Sequence, residues 1–413
     1  MERGLTAGRS EKYDRPPPAP SRRIHLLAPA AAALALIPIA VSIRYTADFG
    51  LAYHGGVEAW ASGHPERVFS WISTPFLALV VGLITRLATE ANSAHVFLGT
   101  NLLLWGGLLT AVWGRLYGRV PSAWWWGTLV AAAAFSPAIS TIYWLSFNLV
   151  AFVLAVAGVV LIGRHDKLAG LLIGASLALK PILLIVPVAL LLRRESRPAG
   201  LWSIASAAVL SLCGLGFLAW RAGAWSVLDP FAYLAAFAAK GRGPLISCVV
   251  ENYSPVAFLC RLGIPTPTVV TVGLAAAVAL LGWLLAQRSR HSTGSGWELF
   301  ALACLLSPMI GPVEWATYQL AFAPLMLLLA YQFWSARAPV RFWAYLAVPY
   351  LMTDLVWDPL ESLAGAPIAV LVVSYSVGQF AQYFLILLWI QWMRMRSSNS
   401  TTKAMAGRGA QAG

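Results

Sequence analysis

Apolar positions in this chain gather into runs of about 15–25 residues separated by short charged stretches, and a helix needs roughly 20 apolar residues to cross a ~30 Å hydrocarbon core. The first run is Leu26 to Ile43. Others lie near residues 75–89, 95–114, 123–143, 146–163, 168–192, 200–220, 267–286, 297–310, 316–334, 342–356 and 366–393. The pattern predicts an all-α fold: a polytopic membrane helical bundle of about 12 transmembrane helices. Residues 1–24, with Pro16, Pro17, Pro18 and Pro20 among basic residues, read as a disordered cytoplasmic arm, and 394–413 as a disordered cytoplasmic tail. The first run has no cleavage signal after it and reads as a retained anchor. A single transmembrane domain, 25–393, lies between arm and tail. Its two long polar loops, about 44–73 and 221–266, are expected on the outer side with short amphipathic helices.

Composition agrees: 59% of the residues are apolar and 11% charged, well below the ~25% charged residues of soluble domains. The net charge of +13 would suggest nucleic acid on a soluble protein. Here the positive-inside rule accounts for it, and no nucleic-acid partner is expected. With the N-terminus inside and strict alternation, most Lys and Arg fall on the inner side, including Arg86, Arg193, Arg194 and Arg197. Arg221 falls outside, and Arg115, Arg119, Arg164 and Lys167 come out there against the rule. One wrongly assigned or re-entrant span in the region 95–192 would remove that conflict. Cys213 and Cys304 read as small core residues, while Cys248 and Cys260 share a loop without signalling a bridge.

No glycine-rich phosphate loop, metal-ligand cluster or nucleophile elbow stands in the sequence, so neither a metal nor another cofactor is expected. Chemistry is left to a few polar residues at the membrane surface. Asp48 follows the first span in an aromatic-rich loop, where partial desolvation would raise its pKa and make it a better general base. It could equally cap the helix suggested by 51–61, or pair with Arg44. His54 and Glu58 share a face of that helix, either to meet substrate or to wet an interfacial surface. Lys180-Pro181 puts an ammonium and a helix break inside a span. That combination suits a lipid-linked phosphate; a lysine neutralised by a buried acid is the plainer reading. The second outer loop offers Arg242, then Asn252-Tyr253-Ser254 and Arg261, with an anionic head group or plain solvation as alternatives. Ser307-Pro308 breaks a later run, followed by Glu314 and Tyr318; Glu314 is a second candidate carboxylate. Asp354, Asp358 and Glu361 read as a solvated acidic loop.

At these residues the chain resembles the GT-C integral-membrane glycosyltransferases, glycosyltransferase family 87 in particular, which includes polyprenyl-phosphate-mannose-dependent enzymes. The similar elements are Asp48-Phe49 with Tyr53, Gly63-His64-Pro65, Thr74-Pro75-Phe76, the glycine-rich helix Gly170–Gly174 leading to Lys180-Pro181, Asn252-Tyr253-Ser254, and Ser307-Pro308. Where the family often has Gly-Gln-x-Asn, this chain has Leu145-Ser146-Phe147-Asn148, and Tyr318-Gln319 stands where His or Tyr-Asp is common. The resemblance implies a bacterial plasma-membrane enzyme with both termini cytoplasmic. It would move mannose or another hexose or pentose from a polyprenyl-phosphate donor to a lipid or glycan acceptor, with inversion. It makes Asp48 the general base and Lys180, Arg242 and Arg261 the cations available to the donor phosphate. Tyr53, His54, Glu58, Asn148, Asn252, Ser254, Glu314 and Tyr318 are the implied substrate contacts. A secondary transporter or lipid flippase built on the Lys180-Pro181 break is the alternative, although two related halves are not visible.

Overall fold

The computed structural model describes residues 47–65, 68, 74–116, 131, 135–223, 282, 296–310, 316–353 and 380–395. The N-terminal arm, the first span, and nearly all of the second outer loop, of the 267–286 run and of the C-terminal tail lie outside these residues, as do Arg242, Asn252, Ser254, Arg261 and Glu314. Among the described residues every regular element is helical. In chain order they are α1 (Ala47–Ser62), α2 (Pro75–Leu87), α3 (Glu90–Leu116), α4 (Ser136–Tyr143), α5 (Asn148–Leu161), α6 (Asp166–Leu179), α7 (Ile185–Leu192), α8 (Arg197–Ala222), α9 (Gly296–Leu306), α10 (Ala323–Ser335), α11 (Val340–Met352) and α12 (380–395). Short 3-10 turns occupy Pro181–Leu183, Ser307–Ile310 and Ala316–Phe322.

By length and composition α8 is the one helix, among the described residues, long and apolar enough to cross a membrane unaided. Its 26 residues extend about 39 Å at 1.5 Å each. Proline stands in its first turn, and Gly223 closes it in the left-handed conformation at φ 65°. One face, with Ala199, Ser203, Ser206 and Gly214, is buried, while Leu201, Ile204, Val209 and Leu212 are exposed. A solvated helix would not leave that apolar row uncovered; a lipid-facing one does. Exposed Trp202 and Trp220 stand near its ends, about 27 Å apart along the axis, close to the hydrocarbon thickness between aromatic belts.

Three expected spans take another form. The runs 75–89 and 95–114 become α2 and α3, bent by 119° at the break between them. With 13 residues α2 is about 20 Å long, short of a bilayer core. The run 168–192 is broken at Lys180, where the backbone turns extended (φ −147°, ψ 115°) before Pro181. Beyond the break α7 folds back. Gly170 lies against Ala199, Trp202 and Ser203, and Gly174 against Ser203, Ser206 and Ala207. The two sequences advance together, so α6 and α8 run parallel, and residues 166 and 197 lie at the same end. A Cβ at Gly170 or Gly174 would collide with α8, and the closeness lets Ser206 Oγ donate to Gly170 O at 3.0 Å.

Strict alternation is not kept at the charges either. Lys167 lies over the ring of Trp202, 5.7 Å from its centroid, at the end of α8 that begins with Arg197. Arg86 and Arg221, expected on opposite sides, both lie over Trp60, at 5.6 and 5.2 Å. Arg221 also donates from Nε to the Trp60 carbonyl oxygen.

Two apolar clusters hold the bundle. The larger joins α5 and α7 to α9, α10, α11 and α12, with Phe300, Phe322, Phe333, Phe342 and Trp392 fully enclosed. The smaller joins α1 and α2 to the start of α5 through Phe49, Leu77, Val81 and Phe147. Two helix breaks meet between them: Ser307 Oγ accepts from Ile185 N at 3.1 Å and donates to Ala303 O at 2.8 Å.

Candidate active site

Asp48 stands in the first turn of α1, where a carboxylate favours the helix dipole. The next residue fixes it. Phe49 is fully buried against Phe97 (ring centroids 5.3 Å), Tyr53 (6.3 Å) and Phe147 (6.4 Å). With that anchor, Asp48 keeps a solvent-reachable surface at the mouth of the small cluster while protein crowds round it. Crowding strips water from the carboxyl and raises its pKa above the usual 3.8. Lys180 and a hydrogen bond from the Ser146 hydroxyl oppose the rise without cancelling it. A solvent-reachable carboxyl with a raised pKa is the form a general base needs.

Ser146 is delivered by the tight turn between α4 and α5. Leu145 takes a left-handed backbone there, φ 48°, a strain of roughly 1 kcal/mol for a residue with a Cβ. The turn is held by Ser146 N donating to Thr141 O (3.0 Å) and by Thr141 Oγ1 donating to Pro137 O (2.6 Å). Leu145 occupies the place where the family pattern has glycine, and it keeps a conformation that glycine adopts freely. Asn148 is buried at the first position of α5, two residues from Ser146, whose Oγ accepts from Asn148 N at 3.4 Å.

Lys180 arrives from the other side, at the broken end of α6. The backbone turns extended at Lys180 and Pro181 has no N–H, so the last carbonyls of α6 lose helical partners. Thr74, just ahead of α2, meets two of them: its hydroxyl donates to Ala178 O and to Leu179 O (3.2 Å). Lys180 is near enough for its charge to act on the Asp48 carboxyl, so the two strongest candidates in the sequence are neighbours, with Ser146 beside Asp48.

Other expected contacts bond neighbours of their own or lie in a separate turn. Tyr53 Oη donates to Ala88 O at 2.9 Å, and His54 Nε2 lies 3.5 Å from Glu90 Oε2, so this part of α1 clasps the α2–α3 turn. Glu58 accepts from Ser62 Oγ at 2.5 Å. Tyr318 is half-buried in the 3-10 turn Ala316–Phe322, next to fully buried Gln319. Among the described residues, no three His, Cys, Asp or Glu side chains gather where they could hold a metal ion.

The model of glycosyltransferase family 87 matches residues 71–312. The chain belongs to glycosyltransferase family 87. Neither the curated proteins nor the solved structures contain a match to it. Membership makes it a glycosyltransferase of a membrane family, acting between a sugar donor and an acceptor. The match takes in Thr74, Ser146, Asn148, Lys180 and Ser307. Asp48 precedes it, so the case for that carboxylate rests on where the fold puts it. Thr74 and Ser146 were not singled out in the sequence as chemical candidates. Nothing marks an isolated Thr or Ser until the backbone groups and carboxylate it bonds are known.

Proposed function

We propose that this family 87 enzyme transfers a sugar from a polyprenyl-phosphate donor to a lipid or glycan acceptor on the outer face of a bacterial plasma membrane. The observation that carries the reading is the convergence of Asp48, Ser146 and Lys180. Asp48 takes the proton from the acceptor hydroxyl as that oxygen attacks the anomeric carbon. The bond to the phosphate oxygen breaks on the opposite face, inverting the centre, and polyprenyl phosphate leaves with the bonding pair. Lys180 faces the departing phosphate, whose growing charge its ammonium stabilises. The donor already carries the activation, so a base and a cation suffice.

The packing supports a sidedness for this reading. Arg164, Lys167, Arg193, Arg194 and Arg197 gather at the cytoplasmic end, because α6 starts and α7 finishes beside the start of α8. The α6–α7 pair then enters from the inner side and returns to it, with Lys180 at its tip. Arg86, Arg221 and Trp60 mark the outer end.

The transporter reading draws on the broken helix alone. Purified protein in liposomes, given radiolabelled polyprenyl-phosphate sugars and candidate acceptors, separates the two. Label transferred to the acceptor with release of polyprenyl phosphate is the expected result. Uptake of label with no new glycosidic bond would establish a transporter.

A further inference from the structure

We propose that Thr74 is a positioning residue for Lys180, holding the broken end of α6 so that the ammonium faces Asp48. The proposal deepens the glycosyl-transfer reading and rests on it.

The break creates a local demand. The backbone of Lys180 is extended, and its own N–H still bonds Ser176 O at 2.9 Å. Because the backbone leaves the helix at Lys180, and Pro181 has no N–H, the carbonyls just before the break lack the donors an uninterrupted helix would give. Within a bilayer no water replaces those donors, and each unmet group is costly. Thr74 Oγ1 shares its proton between Ala178 O and Leu179 O, the two carbonyls immediately ahead of Lys180. The same oxygen accepts from Leu77 N at 3.2 Å and so caps α2. One hydroxyl thus joins the start of α2 to the end of α6.

The far end of α2 is tied to the helix that carries Asp48. Tyr53 Oη bonds Ala88 O just beyond α2, and His54 pairs with Glu90 across the same turn. Between its ends α2 lies flush on α1, Gly56 touching Val81 and Gly82. Helix α2 is therefore a short strut, fastened at Thr74 to the end of α6 just ahead of Lys180 and to α1 at Tyr53 and His54. It sets how far the ammonium stands from the carboxylate. A threonine needed for folding alone would not have to bind the two carbonyls adjoining the one lysine of the break.

The test uses the full chain in lipid nanodiscs with Thr74→Val, Thr74→Ser and Lys180→Gln. One readout needs no turnover: the acylation rate of Lys180 by acetic anhydride, followed by peptide mass spectrometry. Removing the clamp in Thr74→Val is expected to change that rate about fivefold and to raise KM for a polyprenyl-phosphate sugar by about the same factor, the scale of one buried hydrogen bond. Thr74→Ser, which keeps the hydroxyl, is expected to behave as wild type in both. Thr74→Val combined with Lys180→Gln should be no worse than Lys180→Gln alone, because both act through one group. Unchanged Lys180 reactivity and KM in Thr74→Val, or additive losses in the double variant, would overturn the proposal. If Thr74→Val does not fold, Thr74→Cys, a weaker donor of similar size, carries the same test. Should wild type transfer no sugar while Lys180 reactivity still follows the Thr74 hydroxyl, the glycosyl-transfer reading fails and the positioning role stands.

Discussion

The carboxyl of Asp48 carries two opposing influences, and the balance can be read from its pH dependence. Burial raises its pKa above 3.8, and Lys180 and Ser146 pull it down. The base is therefore lost on acidification at a higher pH than an ordinary aspartate would show, and the acid limb of kcat/KM should report it. Lys180→Gln and Ser146→Ala each remove a lowering influence, so each should shift that limb to higher pH. An acid limb that stays put in Lys180→Gln would mean that the pair does not interact. For stability the sign runs the other way. A carboxyl with a raised folded-state pKa favours folding below its unfolded pKa and loses that contribution as pH rises through the folded value. At neutral pH ionised Asp48 is a net cost, so Asp48→Asn should leave Tm at pH 7 unchanged or slightly higher. A large drop in Tm would make Asp48 structural. Asp48 and Lys180 were legible in the sequence because charges at a membrane surface or within a span are exceptional. Ser146 and Thr74 were not, since each acts on a partner distant along the chain.

At the scale of elements, the contact of α6 with α8 depends on Gly170 and Gly174. A Cβ at either would strike α8, so Gly174→Val should destabilise the fold by about 1–3 kcal/mol, the usual penalty for overpacking. A thermal-shift measurement in detergent would show it, and Gly99, with open space around it, provides a control in Gly99→Ala. The glycine-rich approach to Lys180-Pro181 and the break itself could be read from residue types, because a proline within a helical run removes a helical hydrogen bond and disfavours helix at the residue before it. The reversal beyond the break could not. Hydropathy gives the extent of an apolar run and says nothing of its direction, so 168–192 looked like one crossing. The same limit applied to 75–89: its composition suits a span, and only the bend to α3 and its contacts with α1 show a strut.

For the whole molecule, the charge pattern gave the membrane class and a sidedness with two misfits, and packing addresses the one at Arg164 and Lys167. With α6 parallel to α8, Lys167 and Arg194 should lie on one side. Single cysteines at these positions, in a background with native cysteines replaced, should both react with a membrane-impermeant maleimide only when the cytoplasmic face is accessible. A cysteine at Arg221 should react from the opposite face. Labelling of Lys167→Cys and Arg194→Cys from opposite faces would restore simple alternation. The central claim is that Asp48 is the base of a glycosyl transfer, and the most direct measurement is turnover of a radiolabelled polyprenyl-phosphate sugar by wild type, Asp48→Asn and Asp48→Glu at matched folded concentration. Asp48→Asn should lose at least about 100-fold in kcat, the scale of a lost general base. Asp48→Glu should retain part of the activity with an altered acid limb. Transfer at the wild-type rate by Asp48→Asn would contradict the assignment outright.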